Sequence, residues 1–186
     1  MNVSPIESPV PTSVAPELVN ITGRRNKELV WAGIVLGMGF GGLADGIVLH
    51  QILGWHHLVC YTLNCQPTSV AQLLHENTQD GFFHLGLWLL MLTGVAMLFR
   101  AARPVGGLWR GRVLAGSMLA GSGLFNFFEG LLNHQILGIH HVLPGSPHQF
   151  LWDMLYLSNG VLFFVAGMWL ARGGLTADAS LPIHEQ

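Results

Sequence analysis

Residues 50–57 read HQILGWHH and residues 134–141 read HQILGIHH, so the two octapeptides differ at one position only. The match extends upstream, where Asp45 and the glycine after it correspond to Glu129 and its following glycine. Downstream, a His-x4-Asp motif follows each octapeptide, with a shorter spacer in the second copy. The chain is therefore predicted to contain two repeats, each made of a helix, a His-rich loop and a second helix.

The octapeptides lie at the ends of long apolar segments. Four such segments of about 18 to 25 residues occur, and each can cross a hydrocarbon core of roughly 30 Å as a helix. They run from about Leu29 to Leu53, Phe82 to Phe99, Val113 to Leu137 and Phe150 to Leu170. Spanning strands are excluded because lipid leaves their open edges unpaired. We predict an all-α integral membrane four-helix bundle made of two parallel two-helix repeats, related by a pseudo-twofold axis along the membrane normal.

The composition agrees with a lipid environment. Of 186 residues, 51% are hydrophobic and 10% are charged, whereas charged residues make up about a quarter of an average soluble domain. These values exclude a disordered chain, a nucleic-acid-binding protein and an ordinary soluble enzyme. The first expected partner is therefore the lipid bilayer.

The distribution of Lys and Arg predicts the orientation, because these residues favour the cytoplasmic side. All eight precede the first segment, connect the second to the third or end the fourth, and neither His-rich loop contains one. Both termini are thus predicted to be cytoplasmic, with the loops outside the cytoplasmic (inner) membrane. The predicted parts are a disordered cytoplasmic tail (1–27), repeat 1 (28–103), repeat 2 (104–172) and a cytoplasmic tail (173–186).

Five acids and nine of the ten histidines occur in the stretches without Lys or Arg. A carboxylate in a membrane helix is costly and normally faces a partner or a wet cavity. Imidazole and carboxylate together bind Zn, Fe or Cu(II), so we predict one or two divalent transition-metal ions (Cu, Zn or Fe) between the repeats at the outer face. The predicted ligands are drawn from Asp45, His50, His56, His57, Glu129, His134, His140 and His141. The site is predicted to be closed from above by His75, Asp80, His84, His148 and Asp153.

The spacing within the first repeat limits this interpretation. Asp45 and His50 are five residues apart, about 140° around an ideal α-helix, so a kink or ligands from different helices are required. Gly54 and Gly138 resemble helix C-terminal stops, and Asp80 and Asp153 are expected to open the following helices.

Several functions fit such a cluster. As an enzyme, the protein would activate water or dioxygen at the metal, with a spare carboxylate as proton acceptor. As a metal-handling factor, it would pass metal to a respiratory enzyme. One alternative cofactor is haem b, held by His pairs across helices in a protein that moves electrons between quinol and an outer acceptor. Another reading is a structural membrane protein with hydrogen-bonded His–acid pairs and no metal.

Two cysteines, Cys60 and Cys65, lie in the first His-rich loop and have no counterpart in the second. Outside the cytoplasm, two nearby cysteines more often form a disulfide than a metal site. A disulfide is therefore favoured over a role in copper relay.

The paired DG-x3-HQIL-x2-HH and EG-x3-HQIL-x2-HH segments, each followed by His-x4-Asp, resemble the bacterial membrane protein family DUF2243 over about residues 28–172. The resemblance implies a four-helix integral membrane protein associated with respiratory oxidase assembly or copper handling, and hence a respiratory-chain partner. It assigns no catalytic residue.

Overall fold

The computed structural model describes residues 14–102 and 110–179. In these residues the chain forms four α-helices and no strand, which confirms the all-helical prediction. The helices are α1 (Val14–Asp45), α2 (Val70–Ala102), α3 (Gly111–Glu129) and α4 (Gln149–Ala179). Two π-helical segments extend α1 and α3, which we call π1 (Gly46–Ile52) and π2 (Gly130–Ile136).

Three stretches are long and apolar enough to span a membrane, namely Asn26–Ile52, Val70–Ala101 and Gln149–Leu175. The helix α3 is not among them. Many of its buried positions are small residues, including Gly116, Ser117, Gly121 and Gly123. These residues add little hydropathy but let neighbouring backbones approach closely. The helix is therefore specialised for contact with other helices.

The α3 helix packs between α1 and α4, and α2 packs on α1. A Cβ atom added to Gly37 of α1 would overlap the backbone carbonyl of Met118 in α3. Likewise, a Cβ atom on Gly121 of α3 would overlap the carbonyl of Ile34 in α1. The first and third helices thus meet backbone to backbone at their glycines.

Both π segments end at the predicted glycines. Gly54 has φ +56° and Gly138 has φ +58°, a left-handed conformation that favours glycine. The loops that follow, residues 53–69 and 137–148, form what we call the loop end of the bundle. Cys60 and Cys65 form a disulfide in the first loop, as expected.

Some helix boundaries differ from the predictions. The α1 helix begins at Val14 and α4 continues to Ala179, so residues 14–27 and 173–179 of the predicted tails are helical. The α2 helix begins at Val70, which puts Asp80 inside the helix rather than at its start. The α2 extension contains good helix formers such as Gln72, Leu73 and Glu76, which continue a helix beyond its apolar part. The remaining tail residues (1–13 and 180–186) and the predicted repeat boundary at 103/104 lie outside the described residues.

Candidate metal centre

The π segments place a carboxylate beside a histidine five residues later. A π-helix forms hydrogen bonds from residue i to residue i+5, so these two side chains come together. His50 Nε2 lies 3.2 Å from Asp45 Oδ2, and His134 Nε2 lies 3.2 Å from Glu129 Oε1. The five-residue spacing, which does not suit an α-helix, is therefore accommodated by a change of helix type rather than by a kink.

The two loops exchange hydrogen bonds that orient one histidine each. His56 Nδ1 donates to the carbonyl of Val142 at 2.8 Å, and His140 Nδ1 donates to the carbonyl of Leu58 at 3.2 Å. A carbonyl oxygen only accepts, so the proton of each neutral ring is on Nδ1 and the lone pair is on Nε2. The two rings stack with their centroids 4.7 Å apart.

Six buried side chains lie close together where the two loops meet, and we call them the His–carboxylate cluster. Its members are Asp45, His50, His56, Glu129, His134 and His140. The potential ligand atoms of Asp45, His50 and His56 lie within 4.8 Å of one another, as do those of His56, His134 and His140. Six buried atoms of the cluster make no hydrogen bond with any described residue: Asp45 Oδ2, His50 Nε2, His56 Nε2, Glu129 Oε2, His134 Nδ1 and His134 Nε2. His50 Nε2 and His134 Nε2 nevertheless lie 3.2 Å from a carboxylate oxygen, so the atom left without any polar partner at the centre is His56 Nε2.

Asp80 of α2 lies behind His50, on the side away from the cluster. Its Oδ1 is 3.0 Å from His50 Nδ1 and accepts the backbone N–H of Leu58 at 2.8 Å. Its Oδ2 is 2.7 Å from His57 Nδ1 and accepts from the side-chain amide of Gln51 at 3.2 Å. This fully buried carboxylate thus orients His50 and ties the first loop to α2.

Asp153 of α4 occupies the corresponding place behind His134. Its Oδ1 is 3.6 Å from His134 Nδ1 and accepts the backbone N–H of Val142 at 2.9 Å. Its Oδ2 is 2.6 Å from His141 Nδ1 and accepts from Gln135 at 3.3 Å. His57 and His141, which the sequence offered as ligands, therefore support the carboxylates behind the cluster and lie outside it.

Three further predicted residues do not join the cluster. His75 and His148 are exposed, and His75 contacts Tyr61 and Gln79. His84 Nε2 is buried without a hydrogen-bond partner among the described residues and packs against Gly46 of π1. His75 and His148 thus lie at the solvent-facing surface, because the helical extension of α2 and the start of α4 direct them outward.

Two residues that sequence reasoning missed have defined roles here: Tyr156 contacts the cluster, and Glu76 supports the first loop. The Tyr156 hydroxyl donates to Asp45 Oδ1 at 3.2 Å and lies 3.5 Å from Asn126 Oδ1. Glu76 is completely buried, and its Oε1 accepts the backbone N–H of Tyr61 at 3.0 Å. The available signal for Tyr156 was its position three residues after Asp153, which puts it on the same helix face.

The charge balance of the site is unusual. No Lys or Arg occurs in residues 28–99 or 113–171, while Asp45, Asp80, Glu129 and Asp153 are all buried.

The environment of His56 lowers its pKa to about 3. The largest cause is burial of the ring, and the neighbouring His140 and His50 add to it. His56 is therefore neutral at physiological pH and offers a free lone pair at Nε2.

Comparison with known proteins gives the family. The family model described as "Predicted membrane protein (DUF2243)" matches residues 32–174. Neither a curated protein nor a solved structure matches the chain. The match covers most of the chain and agrees with three helices that can span a membrane. The chain accordingly belongs to the DUF2243 family and is a multi-pass integral membrane protein.

Proposed function

We propose that the protein binds two divalent transition-metal ions in its His–carboxylate cluster. One ion is held by Asp45, His50 and His56, and the other by the corresponding set of Glu129, His134 and His140. The single observation that carries this proposal is the buried Nε2 atom of His56, which has no hydrogen-bond partner among the described residues and belongs to both groups of closely spaced ligand atoms.

The orientation of the histidines makes this arrangement unfavourable without a cation. His140 donates its Nδ1 proton to Leu58, and its Nε2 lies 2.9 Å from Glu129 Oε1, so either a second ring proton or a cation has to lie between these two atoms. His56 Nε2 is buried and unpaired after the Nδ1 proton is given to Val142. A buried acceptor without a partner costs about 1–3 kcal/mol. A metal ion satisfies several such atoms at once.

The charges support two ions rather than one. Asp45, Asp80, Glu129 and Asp153 are the buried carboxylates that lie beside the cluster histidines, and an uncompensated buried charge is strongly destabilising. Two divalent ions would neutralise these four carboxylates while leaving every histidine in its neutral, ligating form. Asp80 and Asp153 then act as the carboxylates that commonly hold a metal-bound histidine in place.

The ligand types favour particular metals. Each proposed ion would have two imidazoles and one carboxylate, with no sulfur ligand. This combination occurs in non-haem Fe(II) sites with open positions and in catalytic zinc sites, and imidazole also suits copper. We therefore retain Fe, Zn and Cu as the candidate ions.

Ions are favoured over haem b by the spacing of the rings. The rings of His56 and His140, one from each repeat, stack with their centroids 4.7 Å apart, and the centroids of His50 and His56 are 4.6 Å apart. Rings at this spacing touch each other and leave no gap for a porphyrin. The purely structural alternative is disfavoured because it leaves the buried Nε2 of His56 without a hydrogen-bond partner among the described residues.

The same proposal includes a membrane topology of two parallel repeats with four crossings, α3 and π2 forming the third. Support comes from the α1–α3 contacts, which advance along both helices in the same direction from Gly33 with Ser117 to Gly41 with Ser122. The positions of Lys and Arg support cytoplasmic termini and loops outside the inner membrane. A respiratory-chain partner stays a prediction.

Metal analysis of the purified full-length protein tests this function. We expect two ions per chain after loading with Fe(II), Zn(II) or Cu(II), and a loss of bound metal in His56→Ala. His75→Ala is the matched control, because His75 is exposed and away from the cluster. A folded protein that takes up none of these ions would overturn the proposal, and a Soret band would select haem instead.

A further inference from the structure

The first half of the molecule (α1, π1 and α2) and the second half (α3, π2 and α4) differ in how well their loops cover the cluster. The side chain of His57 is 11% exposed, whereas that of His141 is 31% exposed. The first loop is longer, with residues 53–69 against 137–148, and it is closed by the Cys60–Cys65 disulfide. The second half is therefore the more open side of the cluster.

The contact between carboxylate and inner histidine is also looser in the second half. Asp80 Oδ1 lies 3.0 Å from His50 Nδ1, within hydrogen-bond distance. Asp153 Oδ1 lies 3.6 Å from His134 Nδ1, which is beyond it. His134 Nδ1 has no hydrogen-bond partner among the described residues. This histidine is held less firmly than His50.

The outward histidine of the second half is prepared to bind a cation. His141 Nδ1 lies 2.6 Å from Asp153 Oδ2, so the ring donates this proton to the carboxylate. Its lone pair is then on Nε2, at the other end of a partly exposed ring. Such a carboxylate–histidine pair fixes the tautomer and raises the basicity of the ligating nitrogen.

We propose that metal ions reach the cluster through His141, which captures a hydrated divalent cation from the aqueous phase at the loop end. From His141 the ion passes inward to His134 and Glu129, while Asp153 keeps the His141 ring in the orientation that leaves its Nε2 free. This inference rests on the proposed metal-binding function and adds the route by which the cluster is filled. During the transfer the ion exchanges bound water for protein ligands. The Nδ1 proton of His141 stays on the ring and remains hydrogen-bonded to Asp153.

The test is the rate of Co(II) uptake by the metal-free, full-length protein in detergent, followed by the visible absorption of bound Co(II) in stopped-flow. The key variant is His141→Asn, because the Asn amide can still donate to Asp153 from the Nδ1 position but lacks the outer nitrogen. His75→Asn is the control, because His75 is an exposed histidine of the other repeat and lies outside the cluster. Final Co(II) content is measured separately for each protein.

We expect His141→Asn to slow uptake about tenfold, the lower end of effects seen when a supporting group of a metal site is lost. Its final Co(II) content should equal that of the unaltered protein, and His75→Asn should take up Co(II) at the unaltered rate. Equal rates in all three proteins, or a slower rate only in His75→Asn, would overturn the route while leaving the proposed function standing. Failure of the unaltered protein to bind Co(II) would instead count against the proposed function.

Discussion

At the scale of single residues, Tyr156 makes the cluster chemically asymmetric. Its hydroxyl donates to Asp45 across the boundary between the halves, and its ring packs 5.3 Å from His134. The residue three positions after Asp80 is Phe83, whose ring stacks on His50 at 5.5 Å. Phe83 thus occupies in the first repeat the place that Tyr156 occupies in the second. The hydroxyl of Tyr156 is the group that has no counterpart in the first repeat.

Removing this hydroxyl should weaken metal binding without unfolding the protein. In Tyr156→Phe, Asp45 loses the donor that fixes its carboxylate, and we expect metal affinity to fall about 10- to 100-fold, as for other groups that orient a ligand. Competition with a chelator measures the change. Tyr61→Phe is the control, because Tyr61 is exposed and contacts His75 instead. Equal losses in both variants would contradict a specific role for Tyr156.

Glu76 illustrates a buried acid that serves the fold and not the metal. Its Oε1 accepts from the N–H of Tyr61, and Gln149 accepts the N–H of Gly145 at 3.3 Å in the second half. A glutamine therefore makes the same contact. Glu76→Gln should keep the unfolding free energy and the metal content, whereas Glu76→Ala should lower the unfolding free energy by about 1 kcal/mol because the Tyr61 N–H loses its acceptor. Chemical unfolding compares them, and a metal-free Glu76→Gln protein would place Glu76 among the ligands.

At the scale of helices, the sequence predicted the elements well because apolar length and terminal glycines are local signals. The apolar segments located all four helices, and Gly54 and Gly138 marked the ends of π1 and π2. The π segments themselves were not predicted, since a pattern based on 3.6 residues per turn puts Asp45 and His50 on different faces. The repeated five-residue spacing from acid to histidine was the one available clue.

The close α1–α3 contact gives a prediction at this scale. In Gly37→Ala, the new methyl group would overlap the backbone of Met118, which cannot move as a side chain can. We expect a loss of about 1–3 kcal/mol, typical of overpacking, together with weaker metal binding as the halves separate. Gly86→Ala is the control, because a Cβ atom there meets nothing within 4 Å. Thermal unfolding in detergent measures both, and equal stabilities would contradict the packing account.

At the scale of the whole molecule, the sequence could identify the membrane environment but not which acids and histidines meet. Asp45, His50, Glu129 and His134 follow from the repeated motif. The roles of His56 and His57 depend instead on loop hydrogen bonds, because neighbouring residues in a loop point to different partners. Only the folded loops separate His56, inside the cluster, from His57, which supports Asp80.

Orientation is a property of the whole chain and can be tested by labelling. The positions of Lys and Arg predict that residue 23 is cytoplasmic and residue 147 is outside. Gly23 and Pro147 are both exposed, so Gly23→Cys and Pro147→Cys each place a cysteine at an accessible position. In intact cells, a membrane-impermeant maleimide should label the second variant only, and both should react after the cells are opened. Labelling of Gly23→Cys alone in intact cells would reverse the proposed orientation.

X-ray absorption spectroscopy of the metal-loaded protein tests the central claim most directly, because it reports the atoms bound to the metal. The account predicts a first shell of nitrogen and oxygen with imidazole scattering and no sulfur. It also predicts a second metal at about 3.5–4 Å, the usual separation in two-metal sites. A shell of sulfur ligands, or one without imidazole, would contradict the assignment of the metal centre to the His–carboxylate cluster.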